Sequence, residues 1–306
     1  MFRIKLKCLN LFAYKSLMNI LKYQRSKITI NYHPDVAARS KNIGFTQMMS
    51  LSIPFFGYNA VKEDSESDVN AKLDFNKKLE EADQLFLEDK YEDVVNVLDE
   101  YKNSNDVQVL WRLSRALYNM SLAEDINEDK RKNLILNAHQ LILKALSIDT
   151  NIFEVHKWAA VLIDEHSGII GIKERIKSLE TVKYHMERAL ELNPKDPTIR
   201  YMIGYWCYSV ADMPWYQRQI AATLFGASIP VSSYEEALAY FREAEKLQPL
   251  FYSKNLLMLG KTFLKMDSSF SAEYYLKLVV QYPAKTVEDH QAKKEAAKLL
   301  KSSFGY

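Results

Sequence analysis

The side chains best suited to chemistry in this sequence are six histidines, two cysteines and the titratable run Asp164-Glu165-His166. Their spacing gathers none of them into a reaction centre. His33, His139, His156, His166, His185 and His290 show neither the His-x-x-x-His nor the Glu-x-x-His pattern that brings metal ligands onto one helix face. Cys8 and Cys207 have no metal-ligand spacing and no histidine beside them in sequence, and both read as reduced thiols. Ser167-Gly-Ile-Ile-Gly-Ile lacks the Gly-Lys-Ser/Thr ending of a phosphate loop and reads as a turn. No serine sits in a nucleophile elbow, and Asp164-Glu165-His166 reads as a solvated cap at a helix end. The expectation is therefore a protein that is not an enzyme, with no cofactor and no metal.

What the residues do offer is recognition chemistry. Trp111, Arg115, Tyr118 and Asn119, then His156 with Ala160 and Ile163, then Tyr201, Tyr205 and Tyr208, then Lys254, Leu257, Lys261 and Lys265 recur at helical spacing. On one shared surface they make a groove that is aromatic in the middle and basic at both ends. Such a lining suits an extended or acidic peptide, or an anionic phospholipid whose head meets Arg115 or Lys261 while its chains lie on the rings.

The elements that must present them are paired helices. Tyr234-Glu-Glu-Ala-Leu-Ala-Tyr-Phe-Arg-Glu-Ala-Glu-Lys-Leu-Gln-Pro places Ala237, Phe241 and Ala244 on one face and stops at Pro249. Gly204, Ala237 and Ala244 let this helix approach the preceding one closely, with Phe241 between them. The same ending recurs with Met186, Ala189 and Pro194, with Ala138, Ile142 and Ala145, and with Ala272, Leu276 and Pro283. Unit ends near positions 106, 150, 194, 249 and 283 give steps of 44, 44, 55 and 34. A step of about 34 residues is that of a tetratricopeptide hairpin, and the longer steps are the same hairpin enlarged. The fold expected is all-α: tetratricopeptide-like hairpin repeats stacked into a curved solenoid, whose concave side is lined by the first helix of each pair.

The widest step contains an insert between Val210 and Ser232. Pro214 opens a short apolar helix carrying Trp215, Arg218, Leu224 and Phe225, and Gly226 ends it. It is expected either as a lid over the groove or as a packing element on neighbouring hairpins. Ser233 and Glu236 form a capping box that restarts the fourth repeat.

With 306 residues, 48% hydrophobic and 26% charged, the chain can bury a sizeable core, and only eight glycines and eight prolines favour helix. A net charge of +2 is too balanced for general nucleic-acid binding. Residues 1–40 differ in kind: Arg3, Lys5, Lys7, Lys15, Lys22, Arg25 and Lys27 alternate with apolar side chains, and no acid precedes Asp35. That is the pattern of a mitochondrial targeting segment. Residues 41–70 hold an apolar stretch broken by Pro54 and a polar linker, neither long enough to span a bilayer, so no transmembrane segment is expected. The repeat domain is expected over 71–306, with its first helix starting around Asn70 to Leu73.

The strings His156-Lys-Trp-Ala, Gly171-Ile-Lys-Glu-Arg-Ile, Trp206-Cys-Tyr-Ser-Val, Ile220-Ala-Ala-Thr-Leu-Phe-Gly, Phe251-Tyr-Ser-Lys-Asn and Met258-Leu-Gly-Lys, in this order, resemble the regulator of microtubule dynamics family. The resemblance implies a tetratricopeptide-like domain without enzymatic activity that associates with microtubules and spindle poles. It also implies mitochondrial members, one of which tethers organelles and moves phospholipid. The chain looks nearest to the soluble, mitochondrially addressed branch. The function expected is a non-catalytic scaffold on microtubules, in the cytoplasm and spindle or at mitochondria, with a phospholipid-binding or transfer module as the alternative. A fluorescent fusion of the full chain is expected at mitochondria, and one lacking residues 1–40 is expected to lose that address. Identical distributions of the two fusions contradict the targeting reading.

Overall fold

The computed structural model describes residues 66–123, 125–226 and 230–306. The basic segment 1–40, the apolar stretch after it and Cys8 lie outside the described residues. Among the described residues, thirteen α-helices and one 3₁₀ turn make up the regular structure, and there is no strand. Helix α1 (Glu66–Leu87) pairs with α2 (Tyr91–Val97), and α3 (Val107–Met120) with α4 (Glu128–Ile148). In the third unit α5 (Phe153–Ile170) pairs with α7 (Leu179–Leu192), with the short α6 (Ile172–Lys177) between them. In the fourth, α8 (Pro197–Ala211) pairs with α10 (Tyr234–Leu247), with α9 (Trp215–Phe225) between. The fifth pair is α11 (Ser253–Lys265) and α12 (Ser269–Gln281), and α13 (Val287–Phe304) packs against both. This is the all-helical repeat architecture expected, and α1 begins a turn earlier than expected.

Local sequence sets the helix starts. Asp106, Asn127, Asp196, Ser233 and Thr286 each accept a hydrogen bond from a backbone N–H of the first helical turn. Thr286 and Asp289 complete a reciprocal capping box. At Ser233 only half of the expected box forms, because the Glu236 carboxylate takes the Ser232 hydroxyl, 2.6 Å away. Gly171, at φ 142°, adopts a conformation that side-chain-bearing residues avoid and turns the chain from α5 into α6.

In the second to fifth pairs the first helix carries one small residue at a fixed place. The eighth residue after the N-cap is Ser114 in α3, Ala160 in α5, Gly204 in α8 and Gly260 in α11, and all four are buried. A methyl group on Gly204 would stand 2.9 Å from the Phe241 ring and 3.2 Å from the Ala237 carbonyl. On Gly260 it would stand 2.8 Å from Leu276 Cγ and Cδ2. The unequal steps now have causes: α6 lengthens the third unit, α9 the fourth, and the long α4 the second.

Gly260→Ala is expected to cost about 1–3 kcal/mol through overpacking against Leu276. Adding Leu276→Val should recover part of that loss, as read from chemical denaturation midpoints. An unchanged midpoint in the single variant contradicts this account of the close approach.

Candidate functional site

The first helices of the second to fifth pairs, with α13, share one phase. The fifth, ninth and twelfth residues after each N-cap are Trp111, Arg115 and Tyr118 in α3, and Tyr201, Tyr205 and Tyr208 in α8. In α11 they are Leu257, Lys261 and Leu264. In α5 the same count gives Lys157, Val161 and Asp164, one residue beyond the expected His156, Ala160 and Ile163. His156 therefore belongs to the seam inside the third pair. Its Nδ1 lies 2.9 Å from Nδ1 of His185 on α7, and its Nε2 lies 2.9 Å from the Thr150 carbonyl. A carbonyl only accepts, so His156 carries its proton on Nε2 and His185 donates from Nδ1. Both rings are then neutral, and burial together with His156 pushes His185 down to about 4.

The basic groups at the ends of the face do not stand free for a ligand, as the sequence suggested. Each meets a carboxylate of a neighbouring helix. Asp83 of α1 takes Arg112 and Arg115, both at 2.7 Å, and the Arg115 guanidinium also lies 3.7 Å over the Phe86 ring. Lys157 reaches Asp196 at 3.1 Å. Lys254 pairs with Glu288 at 3.2 Å and Lys261 with Glu295 at 2.8 Å. Both of these last pairs are 34 residues apart, so the repeat places a base on one helix opposite an acid at the matching position of the next. Lys265 meets Asp212 at 2.6 Å, and Asp212 also accepts from the Tyr234 hydroxyl at 2.8 Å.

The middle of the face is aromatic, and most of its rings are buried on one another. Tyr118 packs on Trp158 (5.8 Å between centroids), and Tyr201 stands edge-on to Tyr252 at 4.9 Å and beside Tyr205 at 6.1 Å. Trp111, Tyr118, Trp158, Tyr201, Tyr208 and Tyr252 are all buried, whereas Tyr205 and Lys261 are half-buried and Lys265 remains largely accessible. Asn119 is buried too, its amide donating to the Arg115 carbonyl at 2.8 Å. Beside these rings sits a polar cluster that reads from sequence as a solvated cap. Asp164 is instead buried and gripped by Arg175 of α6, with Nε 2.8 Å from Oδ1 and a second bond from Nη2 to Oδ2. Glu165, half-buried, accepts from the Tyr118 hydroxyl, and burial next to Asp164 pushes its carboxyl up to about 7.

The insert's residues divide by task. Arg218 donates to the Met213 carbonyl (Nε, 2.9 Å) and the Ala211 carbonyl (Nη2, 2.7 Å), closing the C-terminal end of α8. Leu224 and Phe225 are half-buried against the core, while Trp215 is 76% exposed. Helix α9 packs on α6, so the two inserted helices support each other. Sequence reasoning reads Glu165 as part of a solvated cap and misses α6, Arg175, Tyr252, Glu288 and Glu295. The last two carry a usable signal, lying one repeat beyond Lys254 and Lys261.

Stacked helical pairs with a common inward phase define a tetratricopeptide-like solenoid. A solved thermophilic TPR protein from Thermus thermophilus shares the fold, with a TM-score of 0.51 and 13% identity over 73% of this chain and 99% of that one. The model of the family "Regulator of microtubule dynamics protein 1-3" matches residues 78–304. Regulator of microtubule dynamics protein 1 from Bos taurus is 44% identical over 223 residues, covering 73% of this chain and 70% of its own. Its counterpart from Pongo abelii is 40% identical over 256 residues, 83% and 81% of the two chains. The chain belongs to this family.

The raised Glu165 and the depressed histidines oppose each other in acid. Between pH 7 and 4.5 the folded chain holds a proton on Glu165 that the unfolded chain releases, so acidification stabilises the fold there. His185 and His139 are held down at about 4, so the unfolded chain takes up their protons first and stability falls as pH drops from 6.5 toward 4. Glu165→Gln is therefore expected to be more stable than the parent at pH 8 and to lose stability more steeply from pH 7 to 5. Denaturation midpoints with the same pH slope in both proteins contradict this.

Proposed function

We propose that the chain works by binding, as a non-catalytic scaffold of the microtubule cytoskeleton that holds a polypeptide partner along its concave face. The observation that carries this reading is the state of that face: its charges are matched within the array, and the accessible remainder is a recognition surface of Tyr205, Lys261, Glu295 and Glu165. Burial pushes the Cys207 thiol up to about 12, which leaves it a poor nucleophile. Among the described residues no three metal-ligating side chains come together, and no helix is long and apolar enough to cross a membrane. The rings on which a phospholipid's chains would lie are packed on one another, and this favours a polypeptide over the lipid alternative. The names of the relatives supply the cytoskeletal context, and the basic segment 1–40 supplies a second, mitochondrial address.

Co-sedimentation tests the reading. The full chain is expected to pellet with polymerised tubulin at about 50 mM salt, and less so near 300 mM as screening shortens the reach of its charges. Absence from the pellet at low salt removes the proposal.

A further inference from the structure

We infer that the face of α13 turned away from its buried row is a docking surface for an acidic, extended polypeptide, held by Lys294, Lys298 and Lys301, with Lys298 at the rim of the concave side. The helix buries Asp289, Ala292, Ala296 and Leu300 against the array. Glu288 and Glu295 turn toward α11, where Lys254 and Lys261 meet them. At 3.6 residues per turn the three lysines fall within about 60° of one another, on the side opposite the buried row. All three are exposed, as are His290 and Gln291 beside them, and the most accessible acid of α13, Glu295, is paired with Lys261.

Two comparisons set this face apart. On α1, α6, α7 and α12 an accessible base pairs with an acid of its own helix, as in Lys78–Glu81, Lys177–Glu174, Arg188–Glu191 and Lys277–Glu273. On α13 the acids are drawn to one flank and the outward bases are left without carboxylates among them. The second comparison is positional. Lys294 is the eighth residue after its N-cap, the place held by Ser114, Ala160, Gly204 and Gly260 where another helix packs closely. A long charged side chain there is unsuited to a tight helical partner and suited to a charged, extended one. The attraction of a helix C-terminus for cations accounts for Lys301 in the last turn. Lys294, nearly three turns from that end, lies beyond its range.

The spacing fits such a partner. Along the helix axis Lys298 and Lys301 stand about 6 Å and about 10 Å from Lys294. Alternate residues of an extended chain are about 7 Å apart, so neighbouring carboxylates on one side of it can engage successive lysines. Exposed charges of this kind act mainly on encounter rate and lose their pull in salt. The surface would add a microtubule contact beside the concave face of the scaffold proposed above, and in that role the inference rests on that reading.

The test uses the full chain and a fluorescein-labelled poly-glutamate peptide, followed by anisotropy, beside microtubule co-sedimentation. The variant Lys294→Glu/Lys298→Glu/Lys301→Glu is compared with Lys72→Glu/Lys77→Glu/Lys246→Glu, which changes net charge equally at exposed sites elsewhere. The first is expected to bind the peptide about tenfold or more weakly at low salt and the second within about twofold of the parent. Equal affinities in the two variants overturn the docking surface. If the parent and the α13 variant pellet equally with microtubules, the inference falls while the scaffold reading stands. If the parent does not pellet but only the α13 variant loses the peptide, the surface stands and the microtubule reading falls.

Discussion

Two helices of a pair can touch at backbone distance only where one of them has almost no side chain, and this array places such a residue at the same position in its second to fifth pairs. Ser114, Ala160, Gly204 and Gly260 sit at one position of successive first helices, and at the two glycines Phe241 and Leu276 press into the space left open. The contact fixes how each first helix is rotated about its own axis. Rotation in turn fixes which residues look into the concave side. The pairs Lys254–Glu288 and Lys261–Glu295, each spanning 34 residues, are the visible result: matching positions of neighbouring helices oppose each other, and charges meet across the interval.

The enlarged middle of the array hangs on a different contact. Arg175 and Asp164 are both buried, and neither charge is tolerable there alone. Their bidentate pairing holds α6 against α5, and α6 gives α9 a surface to pack on. The ion pair thus ties α6 to the concave side, and α9 is held both by α6 and by the bonds of Arg218 to the end of α8. That pair also sets the electrostatics around Glu165 and Tyr205, where burial raises the carboxyl and the phenol alike. In the proposed reading, a face whose charges are consumed in this way recognises shape and a few placed polar groups. In the same reading, steering by net charge falls to the lysine face of α13.

The hairpins are legible in the sequence because their signals are local and repeated. Ala237, Phe241 and Ala244 before Pro249, and the same pattern ending at Pro194 and Pro283, report a helix face and its stop within a few residues. The rotation of α8 and α11 is equally legible, since Gly204 and Gly260 mark it. Helix α5 reads one residue out of phase because Ala159 and Ala160 stand side by side and either fits the small position; only the backbone shows that Ile152 is the N-cap and that His156 faces His185. Asp164 is misread for a nonlocal reason. Its partner Arg175 lies on a six-residue helix too short to announce itself, so from sequence a buried acid looks like a solvated one.

Hydrogen exchange of the full chain, with and without polymerised tubulin, tests the central claim most directly. The account predicts slower exchange over the concave-lining helices 107–120, 153–170, 197–211 and 253–265 and over 287–304, with the outer helices 91–97 and 269–281 unchanged. Protection confined to those outer helices, or none anywhere, would contradict it.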